Sequence, residues 1–194
     1  MNTITCLLLG LLLLNTACSP KPASVLNSSE PILSEDDSSI VNGLPVKSTE
    51  DISRSTVDLY LTFGSGGSSR FTNFCSGTLI APDLVITAAH CVADLGQELG
   101  IDKATYLKNV QVGFGAAIVK SLKDTRVKFV GLKSLQVHPD YVIGSVVNAE
   151  TTPMKDVALL KLARVAPTGY VPALLPNDQQ TLKVGDKVTL AGFG

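Results

Sequence analysis

From residue 40 onward the chain alternates short apolar runs with breaks made of Gly, Pro, Asn and Asp. Seven runs rich in Val, Leu, Ile and Phe have the length of strands, at residues 57–63, 75–80, 83–87, 110–114, 127–137, 157–162 and 187–191. Side chains of this kind suit a pleated, half-buried surface, so each run predicts a strand. Gly64, Gly66 and Gly67 mark a loop, and "APD" at 81–83 marks a tight turn between two strands. Only "AAHCVADLGQEL", residues 88–99, has helical character, and it is short. No internal repeat of fixed period is present. Short strands at this spacing predict an all-β sandwich or barrel.

The texture before residue 40 is different. Residues 1–17 carry no Lys, Arg, Asp or Glu and hold an apolar stretch from Ile4 to Leu14. That stretch is shorter than the roughly 20 apolar residues a membrane span requires, and it fits the core of a signal peptide. Residues 19–39 are rich in Ser, Pro and acidic residues and end in "SEDDSS". They have too few apolar side chains to pack a core, so 18–39 is expected to be a linker or pro-segment.

Composition narrows the classes further. The 194 residues are 45% hydrophobic, as in a globular protein, and 16 basic against 17 acidic residues leave a net charge of -1. Nothing in that balance points to nucleic acid as a partner. Four cysteines are present: Cys6 within the presumed signal, Cys18 just after it, Cys75 and Cys91. The segment "NTAC" ending at Cys18 resembles the lipobox of bacterial lipoproteins, which makes Cys18 a candidate for acylation and the sole route to a membrane. Lipid anchoring and plain secretion both remain open. An exported protein meets an oxidising environment, where a pair of cysteines persists as a disulfide. Metal ligands at regular spacing are absent, and no cofactor is expected. His138, in the turn-like "VHPDY", reads as structural. Asp94, Glu98 and Asp102 lack the arrangement of a calcium loop and read as a solvated acidic loop.

The segment "CSGTLIAPDLVITAAHC", residues 75–91, resembles the trypsin-like (chymotrypsin-fold) serine protease family. Further landmarks follow in the family's order: "IVNG" at 40–43, "LQVHPDY" at 135–141, "DVALLKL" at 156–162, "VPALLP" at 171–176 and "GDKVTLAGFG" at 185–194. The resemblance covers residues 40–194. It implies a six-stranded antiparallel Greek-key barrel over residues 40–165, the first of two. A crossover and the first strand of an incomplete second barrel would occupy 166–194. It also implies that Ile40 is the mature N-terminus, that Cys75 and Cys91 are bonded, and that the substrate is a protein or peptide. His90 would be the general base and Asp156 the carboxylate that orients it. The chemistry agrees: a serine hydroxyl needs a base to accept its proton, and an imidazole titrates near working pH. A carboxylate bonded to the far ring nitrogen fixes the tautomer and stabilises the imidazolium. Asp156 opens an otherwise apolar strand, where its burial would be costly without a partner.

Two features depart from the family pattern. His90 and Asp156 lie 66 positions apart, and "LGQELGIDKATYLKN" and "AAIVKSLKDTRVK" are expected to be the surface insertions responsible. There is also no Gly-Asp-Ser-Gly-Gly segment, and no serine has a matching context. The nucleophile, oxyanion donors and specificity pocket belong to the second barrel, so this polypeptide is expected to be a truncated or fragmentary protease, inactive alone. The alternative is a noncatalytic, protease-like envelope protein used for binding or adhesion.

Overall fold

The computed structural model describes residues 43–47, 49–64, 70–144, 155–177 and 181–193. The presumed signal, the 18–39 linker, Cys18 and Ile40 lie outside the described residues. A short 3-10 turn, Asp51–Arg54, leads into strands β1 (Thr56–Phe63), β2 (Arg70–Ala81) and β3 (Leu84–Thr87). Helices α1 (Ala93–Glu98) and α2 (Lys103–Asn109) follow, then strands β4 (Val110–Phe114), β5 (Lys128–Val137) and β6 (Ala158–Leu162). Among the described residues no helix is long and apolar enough to cross a membrane.

The six strands close into a barrel in the order β1-β2-β3-β6-β5-β4. Every neighbouring pair is antiparallel. After the β1-β2-β3 meander the chain returns to lay β4 beside β1, which is the Greek-key path. Closure gives every strand two neighbours and leaves no sheet edge.

Alternation along each strand fills the interior. Val57, Leu59 and Leu61 of β1 point inward with Leu79, Val85, Val110, Val112, Val130, Leu160 and Leu162, all at most 1% exposed. The opposite face of β1 carries Asp58 and Tyr60. Tyr60 packs outside the barrel with Val119 and Val127, against Phe71 and Phe129. Its ring stacks on Phe71 at 4.8 Å and meets Phe129 edge-on at 5.2 Å. Gly113 of β4 makes room for it, because a Cβ there would lie 2.6 Å from the Tyr60 ring. The hydroxyl accepts the Val119 N–H at 3.1 Å and pins the 115–127 segment down.

Three sequence expectations change here. Residues 116–128 are a small second core laid over the barrel wall, because Val119 and Val127 are buried beneath them. Residues 95–109 include helix α2, whose N-cap Asp102 accepts the Thr105 N–H at 2.7 Å. The strand expected at 187–191 does not form: these residues pair with no ladder, and Val188 and Leu190 are exposed. A strand needs a neighbour to take its backbone groups, and among the described residues this segment has none. The preceding stretch is fastened to the barrel, with the Ala166, Val171 and Ala173 N–H groups donating to the Pro82, Arg54 and Leu79 carbonyls.

Asp58 is the exception within this packing. It is 1% exposed, and neither carboxylate oxygen has a well-aligned hydrogen-bond partner among the described residues. Burial raises its pKa to about 7, against a smaller opposing pull from the Tyr60 hydroxyl and the Leu59 N–H. Between about pH 4 and pH 7 the folded protein therefore holds a proton that the unfolded chain has released. Its contribution is fully present below about pH 4 and is lost as pH rises through 7, a change on the order of 4 kcal/mol. Asp58→Asn is expected to flatten this part of the profile and to raise stability at pH 8. Urea denaturation of both proteins at pH 4.5, 6 and 8 checks it, and parallel profiles would count against the assignment.

Candidate active site

Strand β3 ends where its apolar run ends. Val85 and Thr87 point inward, and the Thr87 hydroxyl donates to the Ser76 carbonyl on β2 at 2.8 Å. Ala88 and the fully buried Ala89 lead into a turn that carries His90 and Cys91. Helix α1 starts just beyond, and the Asp94 and Leu95 N–H groups donate to the His90 carbonyl at 3.2 Å. Small side chains let this turn fold tightly against the barrel end.

Asp156 reaches the same place from the far side of the sequence. β6 runs antiparallel to β3 with Thr87 opposite Ala158, so the end of β3 lies beside the start of β6. The structure thereby brings the two expected site residues together. The His90 backbone N–H donates to Asp156 Oδ1 at 2.9 Å, and ring Nδ1 lies 2.7 Å from Oδ2. An ionised carboxylate only accepts, so the proton is assigned to Nδ1, leaving the Nε2 lone pair available. The imidazole is 42% exposed and the carboxylate 19%, so the ring is open to solvent while its partner is largely covered.

Opposing effects act on the Asp156 carboxyl. Burial pushes its pKa up. The bonds from the His90 ring and backbone, the charge of His90 and the Ala89 N–H outweigh that and hold it below the usual carboxylate range. It stays ionised at neutral pH, as a partner for an imidazolium must.

Cys75 and Cys91 are bonded, with Cα atoms 6.3 Å apart. The bridge ties β2 to the residue after His90. A ring nitrogen of His90 and the Cys75 and Cys91 sulfurs lie within 4.8 Å of one another, but the two sulfurs are committed to each other. Tyr106 of α2 adds a brace that sequence reasoning missed: its buried hydroxyl donates to the Cys91 carbonyl at 2.8 Å. Burial raises the pKa of that phenol, which keeps it a donor. No local motif announces this contact, because the two residues are 15 positions apart with helix α1 between them.

The remaining candidates separate. Asp94 is not part of a solvated acidic loop, since it accepts from the Tyr141 hydroxyl at 2.9 Å and the Gly144 N–H at 3.1 Å. Asp102 caps α2 and Glu98 faces solvent, so the three carboxylates do not converge. His138 lies in a turn, its Nδ1 accepting the Asp140 N–H at 3.1 Å. An open cavity of about 410 Å³ lies behind the turn, lined by Val92, Ile101, Tyr106, Leu135 and Val137 among others.

A family model described as Trypsin matches residues 40–194. The chain is 31% identical over 188 residues to Phenoloxidase-activating factor 1 of Holotrichia diomphalia, covering 90% of this chain and 48% of that protein. It is 35% identical over 136 residues to Granzyme-like protein 2 of Rattus norvegicus, covering 69% of this chain and 45% of that protein. A solved structure titled "Structure of GrC" shares the fold, with a TM-score of 0.51 at 24% identity over 76% of this chain and 53% of that one. The chain thus spans about half the length of the curated relatives it matches.

Closing a loop over 16 positions restricts the unfolded chain, which in the chain-entropy account is worth about 3 kcal/mol. Replacing both Cys75 and Cys91 by Ser is expected to cost about that much in urea denaturation. A loss below about 1 kcal/mol would mean that the bridge contributes little through the unfolded state.

Proposed function

The chain belongs to the trypsin family of serine proteases, and on that basis we propose that it serves peptide-bond hydrolysis in an exported serine endopeptidase, with His90 as general base and Asp156 as its orienting carboxylate. The observation that carries this reading is the paired contact of one carboxylate with both the backbone N–H and the ring of His90. Here both carboxylate oxygens are used, and the ring is fixed in orientation as well as in tautomer.

In this mechanism neutral His90 accepts the proton of a serine hydroxyl at Nε2 while the oxygen attacks the substrate carbonyl. Asp156 stabilises the imidazolium that results, and His90 then delivers the proton to the leaving amine. The serine in the family lies in a Gly-Asp-Ser-Gly segment that these 194 residues do not contain. On this reading the reaction requires a serine presented to Nε2 in the way that segment presents it, and the 194 residues alone are expected to be inactive. The substrate class is protein or peptide. Export is supported by the uncharged apolar stretch near the N-terminus and by the disulfide. Cys18 is the residue that would carry a lipid anchor, and Ile40 the one that would begin the mature domain.

The noncatalytic binding reading draws on a different observation. Leu174, Leu182, Val184 and Leu190 are each at least 79% exposed, apolar side chains that a partner could cover.

Labelling with a fluorophosphonate probe separates the two. The 194-residue chain is expected to remain unlabelled, and a form extended through the following reading frame to be labelled. His90→Ala in the extended form is expected to slow labelling by about a hundredfold or more, as loss of a general base does. A folded extended form that is not labelled would favour the binding role.

A further inference from the structure

Asp94 lies four positions after His90 and makes two bonds that the mechanism above does not use. Its Oδ1 accepts from the Tyr141 hydroxyl at 2.9 Å, and its Oδ2 accepts from the Gly144 N–H at 3.1 Å. Both donors belong to the segment that follows β5 and precedes Asp156. Gly144 has a φ of 77°, a left-handed conformation that side chains with a Cβ rarely adopt, and its N–H meets the carboxylate from that turn. The Tyr141 ring packs on the main core, so the hydroxyl is delivered from an anchored side chain.

These bonds close a ring around the two site residues. The Asp94 N–H donates to the His90 carbonyl at 3.2 Å, the Tyr141 N–H to the His138 carbonyl at 3.0 Å, and the His138 N–H to the Val157 carbonyl at 2.9 Å. Val157 adjoins Asp156, whose carboxylate returns to His90. Among the described residues, the Asp94 bonds join the β5–β6 connection to the His90 turn beside the dyad's own bonds. A half-buried carboxylate with two donors is a firm tether, since bonds to a charged acceptor are about twice as strong as neutral ones.

We infer that Asp94 is a positioning residue: it ties the loop before Asp156 to the turn that carries His90, and so holds the Nδ1 to Oδ2 contact in place. This rests on the reading of His90 and Asp156 as a catalytic dyad. The test is NMR on the full isotope-labelled 194-residue chain, following the hydrogen-bonded His90 Nδ1–H and the exchange of the Gly144 amide. Asp94→Ala is expected to speed Gly144 exchange by about tenfold or more and to broaden or remove the Nδ1–H signal. Asp94→Asn keeps an oxygen acceptor and is expected to restore part of both, while Tyr141→Phe removes one bond and weakens both. Near-UV circular dichroism shows which variants are folded, and Asn and Phe keep the test decisive if Ala is not. If folded variants leave the Nδ1–H signal intact while Asp156→Asn abolishes it, the positioning role is overturned and the dyad stands. If the unmutated chain has no Nδ1–H signal that depends on Asp156, the dyad reading fails, and the positioning role with it.

Discussion

The ladder between β3 and β6, from Leu84 opposite Lys161 to Thr87 opposite Ala158, is the constraint on which the site depends. It joins the two halves of the Greek key and closes the barrel. It also sets side by side the end of one strand and the start of another, separated in sequence by most of the domain. A slip of one residue would turn Val85 and Leu160 out of the core and move Asp156 by about 3.4 Å relative to His90. Core burial and dyad geometry are thus specified by the same register. The hydrophobic packing that enforces the fold also sets the contact between His90 and Asp156.

Beyond that register, the His90 turn is held by contacts from elements remote in sequence. The bridge to Cys75 comes from β2, the Tyr106 hydroxyl from α2, and the carboxylate of Asp156 from the approach to β6. These add to the turn's own backbone bonds, in which the Val92 and Ala93 N–H groups donate to the Ala89 carbonyl and the Asp94 and Leu95 N–H groups to that of His90. Convergent bonds from rigid elements confine the imidazole to a narrow range of orientations, as the proposed role of general base would require. The connections read as surface insertions take part in this. One supplies Tyr106, and the other covers the outer face of β1 with a small aromatic and aliphatic cluster.

That outer cluster carries a cost. Asp58 shares the face of β1 with Tyr60 and lies under cover without a well-aligned hydrogen-bond partner among the described residues, at a cost that an apolar residue would not carry. The chain tolerates it because the surrounding packing is dense: Gly113 lets Tyr60 lie across β4, and Phe71 and Phe129 box the ring in. A local conflict of this kind is stable only when neighbouring contacts over-determine the conformation.

The alternation of apolar and polar residues determined that this is an all-β chain and placed its barrel strands. The segments around His90 and Asp156 named the two residues that would meet. Those signals act over a few positions and are written in chain order. Only the tertiary structure decided that residues 187–191 pair with no strand among the described residues, that the stretch after His90 contains a second helix, and that Asp94 bonds Tyr141 and Gly144. The reason is physical. Strand pairing and side-chain bonds such as Asp94 with Tyr141, 47 positions apart, and His90 with Asp156, 66 apart, form between residues that no local pattern links. Their partners are chosen by whichever closed packing buries the core and satisfies the backbone, and that choice is made by the whole chain at once.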